Sequence, residues 1–273
     1  MTMPDASQHP FMWDFYQDYY CATATSRAYA ELCERAYGRN FGQHGFADMA
    51  QLDFLIAVAG LTPEYRVLEL GCGNGATAAY IAAQTGAHVT GVDYSPEAIR
   101  LATARAAAMP DRLTFQVADM NDLPFPAHSF DAVISIDTLY FATDGLNKLV
   151  EHLGRLLVPG GRFLIFHSHA ADPMTPIAVF PRETLPPDKT PVAEALRAQG
   201  FTFRTWDFTA ADHRHAQLME DTLTELRAAF EQEGTLFLYE NRMGEARGIQ
   251  AAHEAGAAAR YLYLADRASE TRP

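Results

Sequence analysis

The stretch Arg66-Val-Leu-Glu-Leu-Gly-Cys-Gly-Asn-Gly75 limits what this chain can become more than any other. An apolar run, Val67, Leu68 and Leu70, stands between Pro63 and Gly71 and reads as a short buried strand. Gly71, Gly73 and Gly75 follow in alternation. Residues 76–83 are then a run of helix formers, stopped by Gly86. Glycine allows a tight turn and lets a backbone come close to a ligand. Strand, glycine loop and helix in this order open the nucleotide-binding part of an open α/β sheet.

The same rhythm continues. His88–Asp93 reads as a second strand, and Ser95-Pro96-Glu97 starts a helix with cap, first-turn proline and first-turn acid in place. That helix is expected to reach about Ala108. Residues 113–119 and 132–137 read as the third and fourth strands. A one-face leucine stripe from Leu146 to Leu157 gives a helix that Pro159-Gly160-Gly161 breaks, and residues 162–167 make the fifth strand. A proline-rich loop over 170–190, a short helix near 192–199 and a sixth strand, Phe201–Phe208, follow. About 50 residues of helical pattern then precede a last strand, Tyr261–Ala265. Such alternation predicts a doubly wound α/β fold, a mostly parallel sheet with helices on both faces. Ligands of these sheets bind beyond the C-terminal strand ends. The residues there are Glu69 to Gly75, Asp93, Asp119, Asp137 to Tyr140, and His167 to His169.

Ahead of the sheet, residues 1–25 read as an irregular aromatic arm with Phe11, Trp13, Phe15, Tyr16, Tyr19 and Tyr20. Such an arm either packs onto the body or a second subunit, or closes over a ligand. Ser26 caps a helix ending at Gly38, and Asp48 caps another ending at Gly60. The loop between them puts Gln43 and His44 among glycines, which suits binding; the alternative is a plain solvated connection.

Charge narrows the partners. Thirty-four acidic and 21 basic side chains leave a net charge of −13, and lysine occurs only as Lys148 and Lys189. Nucleic-acid affinity rests on phosphate neutralisation, so no nucleic-acid partner is expected. No apolar run approaches the roughly 18 residues of a membrane span, and the N-terminus lacks a basic-then-apolar leader pattern. Cys21, Cys33 and Cys72 have no metal-site spacing and read as free thiols of a reducing cytoplasm. The pairs His167/His169 and His213/His215 lack a carboxylate partner at ligand spacing, so no metal is expected.

Asp93 stands 18 residues after Gly75, where an acid accepts from the two hydroxyls of a ribose. Asp119 suits an adenine amino group, with apolar Met120 beside the ring. These residues, with Ser-Phe-Asp-Ala-Val-Ile-Ser at 129–135 and Leu-Leu-Val-Pro-Gly-Gly-Arg-Phe-Leu-Ile at 156–165, resemble the class I S-adenosylmethionine-dependent methyltransferases. The resemblance covers about residues 61–169 and resumes in the last strand. It implies a Rossmann-like seven-stranded sheet, with the last strand antiparallel between the fifth and sixth. By the same resemblance Glu69, Gly71, Gly73 and Gly75 surround the amino-acid part of S-adenosylmethionine. Asp93 holds the ribose, Tyr94 lies against the adenine, Asp119 faces the adenine amino group, and Met120 packs on the ring. Ile136 and Asp137 lie near the methyl. The product is S-adenosylhomocysteine.

The acceptor is far less legible. Methyl transfer is an in-line displacement at a sulfonium carbon, and it needs alignment and exclusion of water more than acid or base. Asp137-Thr-Leu-Tyr140 resembles the Asp/Asn-Pro-Pro-Tyr motif of amino-directed members without its prolines, which tilts the acceptor toward an amine. Tyr140, His167 and Asp137 are the candidate catalytic residues, and Tyr19, Tyr20, Tyr29, Gln43, His44 and His169 the candidate acceptor contacts. The chain divides into an N-terminal arm and helical cap (1–60), a core (61–208 and 258–273) and a helical lid insertion (209–257). Both appended segments are expected over the C-terminal edge of the sheet. The leading reading is methylation of a nitrogen or oxygen of a small-molecule metabolite, by a cytoplasmic protein that is a possible homodimer. The alternatives are a cyclisation or alkyl transfer using the same cofactor, a non-catalytic binder of it, and a macromolecule-directed methyltransferase.

Overall fold

Two helices ahead of the sheet begin and end where their caps dictate. The Ser26 hydroxyl accepts from Tyr29 N to start Arg27–Tyr37 (α2), and Gly38, at φ +84°, ends it. Asp48 accepts from Gln51 N to start Met49–Ala59 (α3), which Gly60 ends. A computed structural model describes residues 10–172 and 174–267. The expectations for residues 1–9, Pro173 and 268–273 therefore lie outside the described residues.

The first helix, Pro10–Thr23 (α1), stands where an irregular arm was expected. Its aromatic residues have modest helix propensity, but Tyr16, Tyr19 and Tyr20 become buried on one side. Packing of that side supplies what intrinsic propensity does not.

Downstream, Arg66–Leu70 (β1) leads into Ala76–Thr85 (α4), and His88–Asp93 (β2) into Pro96–Ala106 (α5). Leu113–Val117 (β3) and Phe130–Ile136 (β4) precede Leu146–Leu156 (α6). Leu157–Ala170 (β5) starts at once and runs through Pro159-Gly160-Gly161. The turn residues do end the helix, but they belong to the strand. Leu157 pairs with Phe130, the register slips, and Arg162 then pairs with Ala132. Pro191–Ala198 (α7), Phe201–Asp207 (β6), Thr209–Glu233 (α8), Leu236–Glu254 (α9) and Ala258–Arg267 (β7) complete the chain.

The seven strands form one sheet in the order β3-β2-β1-β4-β5-β7-β6. Pairings through β5 are parallel, and β7 runs antiparallel between β5 and β6. Alternating residues of β1 serve opposite cores. Leu68 and Leu70 join Leu149, Leu153 and Leu196 on one face, and Val67 joins Leu55, Ile81 and Leu164 on the other. A third core joins α1 and α2 to α8 and α9 through Tyr19, Leu32, Met219, Phe230, Leu238 and Met243. The two appended segments thus pack on each other. Glu233 at the end of α8 accepts from Ser26 Oγ (2.7 Å) and from the amides of Arg27 and Ala28 (3.1 Å).

Candidate active site

Backbone geometry at the glycine loop comes first. Gly71 and Gly73 adopt φ of +61° and +54°. A Cβ at Gly71 would stand 2.6 Å from Thr138 Cγ2, and one at Gly73 2.7 Å from the Tyr20 hydroxyl. Both positions therefore require glycine for conformation and for clearance. Gly75 plays a different part. It caps α4 at φ +74° and packs against Phe115 and Ala102, outside the cavity wall.

A cavity opens beyond the C-terminal ends of β1 to β4. Its floor holds Glu69, Gly71, Gly73, Asp93, Tyr94, Asp119, Met120, Ile136 and Asp137. Its roof is Met12, Trp13, Tyr16 and Tyr20 of α1 together with Phe41 to Gly45. Asn74 Nδ2 ties the glycine loop to the roof through Phe41 O, 2.7 Å away. No residue of α8 or α9 lines it. These helices instead hold the roof from behind. Arg242 Nη1 of α9 donates to His44 O at 2.8 Å, and Asn241 Oδ1 lies 3.2 Å from His44 Nε2.

Electrostatics on the floor are set by burial. Glu69 is pushed up to about 8 by burial and then by the neighbouring Asp93 carboxylate. Asp93 is raised to about 6 by burial, against the amides of Ser95 and Gly73 that its two oxygens accept from at 2.9 Å. Asp119 Oδ1 accepts from the backbone and side-chain nitrogens of Asn121, at 2.9 and 2.8 Å. Two acceptor atoms on the wall, Glu69 Oε2 and Gln43 Oε1, are buried with no partner among the described residues. Unpaired buried oxygens are costly, and a ligand rich in ammonium and hydroxyl donors relieves that cost. The acceptor set thus fits an aminoacyl nucleoside such as S-adenosylmethionine.

Several expected site residues lie elsewhere. Tyr140 is half exposed and outside the cavity. Its ring stacks on His167 with centroids 4.4 Å apart, and its hydroxyl accepts from Ser168 N. His167 is buried beneath it, pushed down to about 4 by desolvation against the attraction of Asp137. His169 Nε2 is spent on Thr184, at 2.6 Å. Tyr19 and Tyr29 are wholly buried and hydrogen-bonded to each other. Tyr29 does reach the roof, because its hydroxyl donates to Gln43 O at 2.8 Å.

Asp137 lines the cavity but is no free base. Burial opposes its charge, yet Arg260 overrides burial and holds the carboxyl below the ordinary range. Arg260 donates to both its oxygens, at 2.7 and 2.9 Å, and Phe46 N donates at 2.7 Å. Neither Arg260 nor Arg242 belongs to any motif of the chain. A lone arginine at the mouth of the apolar Tyr-Leu-Tyr-Leu strand is a signal, since a buried cation needs an anion. Its partner 123 residues away is not. Among the described residues no group of three His, Cys, Asp or Glu side chains is placed to hold a metal ion, and no helix is long and apolar enough to cross a membrane.

A seven-stranded sheet with β7 antiparallel between β5 and β6, and a glycine-loop cavity at its C-terminal edge, defines the class I methyltransferase fold. Residues 67–161 match the family model described as a methyltransferase domain. The fold is that of the class I methyltransferases, and the stretch matched by the family model is the part that is similar to a methyltransferase domain. The chain is similar to 27-O-demethylrifamycin SV methyltransferase of Amycolatopsis mediterranei, 32% identical over 150 residues, or 50% of this chain and 54% of that protein. It is also similar to phosphoethanolamine N-methyltransferase 1 of Arabidopsis thaliana, 35% identical over 147 residues, or 53% of this chain and 29% of that one. The chain thus spans about half or less of the length of these relatives. Among solved structures, the cyclopropane synthase MmaA2 from Mycobacterium tuberculosis shares the fold. Its TM-score is 0.70 at 19% identity, over 92% of this chain and 98% of that one.

Proposed function

We propose that this protein transfers the methyl group of S-adenosylmethionine to a nitrogen or oxygen of a small-molecule metabolite. The observation that carries this reading is the convergence of Glu69, Gly71, Gly73, Asp93, Asp119 and Met120 on one cavity. Each side chain there is matched to a part of that cofactor: Asp93 to the ribose hydroxyls, Asp119 to the adenine amino group, Met120 and Tyr94 to the ring, and Glu69 to the ammonium.

When bound, S-adenosylmethionine supplies a methyl already activated by its positive sulfur. The protein's own work is alignment and exclusion of water. Met12, Trp13, Tyr16 and the loop Phe41 to Gly45 cover the cavity, and a covered cavity suits a small acceptor rather than a stretch of polymer. The net charge of −13 further disfavours nucleic acid. The tilt toward an amine rested on Tyr140, which does not line the cavity, so nitrogen and oxygen stand level. The segment 209–257 works as a brace on the roof through α9, and the segment up to residue 60 supplies the roof itself.

Incubation with methyl-labelled S-adenosylmethionine and a metabolite extract tests the reading. Label is expected in a metabolite, with S-adenosylhomocysteine as co-product. Methylthioadenosine without labelled metabolite would mean another use of the cofactor, and binding in calorimetry without turnover would mean a non-catalytic protein.

A further inference from the structure

His44 is built into the roof more firmly than a loop residue needs to be. Its ring meets Tyr16 and Tyr19 edge-on, with centroids 5.3 and 5.0 Å away, and Phe15 at 5.8 Å. Its Nε2 faces only acceptors: Asn241 Oδ1 at 3.2 Å and Glu245 Oε1 at 3.4 Å. Two acceptors on one ring nitrogen require the proton to reside there. Glu245 is in turn bonded to the buried Arg242, which also holds His44 O. With Nε2 turned to α9, which lends the cavity no residue, Nδ1 is the nitrogen left for the cavity. No described residue hydrogen-bonds it.

We propose that His44 is the general base of this site, fixed as the Nε2–H tautomer by Asn241 and Glu245 so that Nδ1 removes a proton from the acceptor. This rests on the methyl-transfer reading and extends it to the acceptor's chemistry: a hydroxyl or an ammonium, protonated where the methyl will go. For a hydroxyl, the O–H bond breaks and its proton goes to Nδ1. The oxygen pair forms the bond to the methyl carbon, and the pair of the C–S bond stays on sulfur, now a neutral thioether. An ammonium gives one proton to Nδ1 before its nitrogen attacks. The imidazolium so formed sits beside the Glu245 carboxylate and later yields its proton to water. Asn241 and Glu245 are positioning residues in this scheme.

The charged groups facing His44 are Glu245 and Arg242 of α9 and Asp137 beyond β4, with the phenols of Tyr16 and Tyr19 on α1. Burial lowers its titration, against the pull of Glu245, so the ring stands neutral and able to accept at neutral pH.

Nitrogen-15 NMR of histidine-labelled protein, with His44 assigned through His44→Asn, reads the tautomer without any turnover. Nε2–H is expected, and an Nδ1–H ring would overturn the proposal. Label transfer from methyl-labelled S-adenosylmethionine into a metabolite extract is then compared across variants. His44→Asn is expected to fall about 10²- to 10⁴-fold, while its calorimetric affinity for S-adenosylhomocysteine stays within about threefold of wild type. Glu245→Gln retains His44 and removes the charge that raises its titration, so the acidic limb of the pH–rate profile should move to lower pH. His44→Asn at the wild-type rate overturns the base alone. No labelled metabolite from wild type overturns the transfer reading, and the base with it.

Discussion

Arg260 and Asp137 form a two-pronged ion pair, with hydrogen bonds of 2.7 and 2.9 Å, between β7 and the end of β4. Arg260 is fully buried, and its Nε also donates to Gln51 Oε1 at 2.9 Å. Asp137 adopts φ +55°, an unusual conformation for a residue with a Cβ. The pair holds that conformation and, through Phe46 N, the end of the roof loop.

Removing Arg260 strands a carboxylate in the protein. Arg260→Met is expected to lower stability by about 3–5 kcal/mol, and Arg260→Met with Asp137→Asn to recover part of that loss in urea unfolding. Asp137 is depressed in the folded state, after Arg260 overrides burial. Its contribution is therefore fully present above the ordinary carboxylate value and is lost as pH falls through the folded value. Wild type should lose stability at acid pH with a steeper slope than the double variant.

Glu69 has the opposite sign. Its carboxyl is raised to about 8 by burial and by Asp93. Its contribution is fully present below the unfolded value near 4.5 and is lost as pH rises toward about 8. Thermal melts of Glu69→Gln should flatten across that window. If Glu69 receives the cofactor's ammonium, binding of S-adenosylhomocysteine at neutral pH must also release protons. Calorimetry in buffers of different ionisation heat measures this, and Glu69→Gln should abolish it.

Asp93→Ala should weaken S-adenosylhomocysteine binding by roughly 1–3 kcal/mol, the scale of lost charge-assisted hydrogen bonds. The same change frees Gly73 N and Ser95 N, so Asp93→Asn should be milder. Unchanged affinity of the alanine variant in calorimetry would remove Asp93 from the ribose role.

Gly71→Ala tests the glycine loop itself. The added Cβ meets Thr138 Cγ2 at 2.6 Å on a backbone with φ +61°. A loss of about 1–3 kcal/mol is expected from that strain, read as a lower unfolding midpoint. Thr138→Ala in the same chain should recover the steric share and not the backbone share.

Much of the fold is legible in the sequence. Caps at Ser26, Asp48 and Ser95, glycine stops at Gly38, Gly60 and Gly86, and the apolar strands all act within a few residues. The same locality made Glu69, Gly71, Gly73, Asp93, Asp119 and Met120 readable as one set, because a parallel sheet brings consecutive strand ends to one edge. The helix of α1 was not legible, since its aromatic side gains its stability from a core shared with α2, α5, α8 and α9.

The sequence by itself determined which segments become strands and helices, where the glycine loop turns, and which acids stand at strand ends. Only the tertiary structure decided which polar residues face the cavity. Tyr140, His167 and His169 sit at the same edge but turn away from it, whereas His44, from a loop far ahead, turns in. The physical reason is that an ion pair or a hydrogen bond is satisfied through space. Arg260 finds Asp137, and Glu245 finds His44, across 123 and 201 residues of chain. No local pattern of residue types encodes such a meeting.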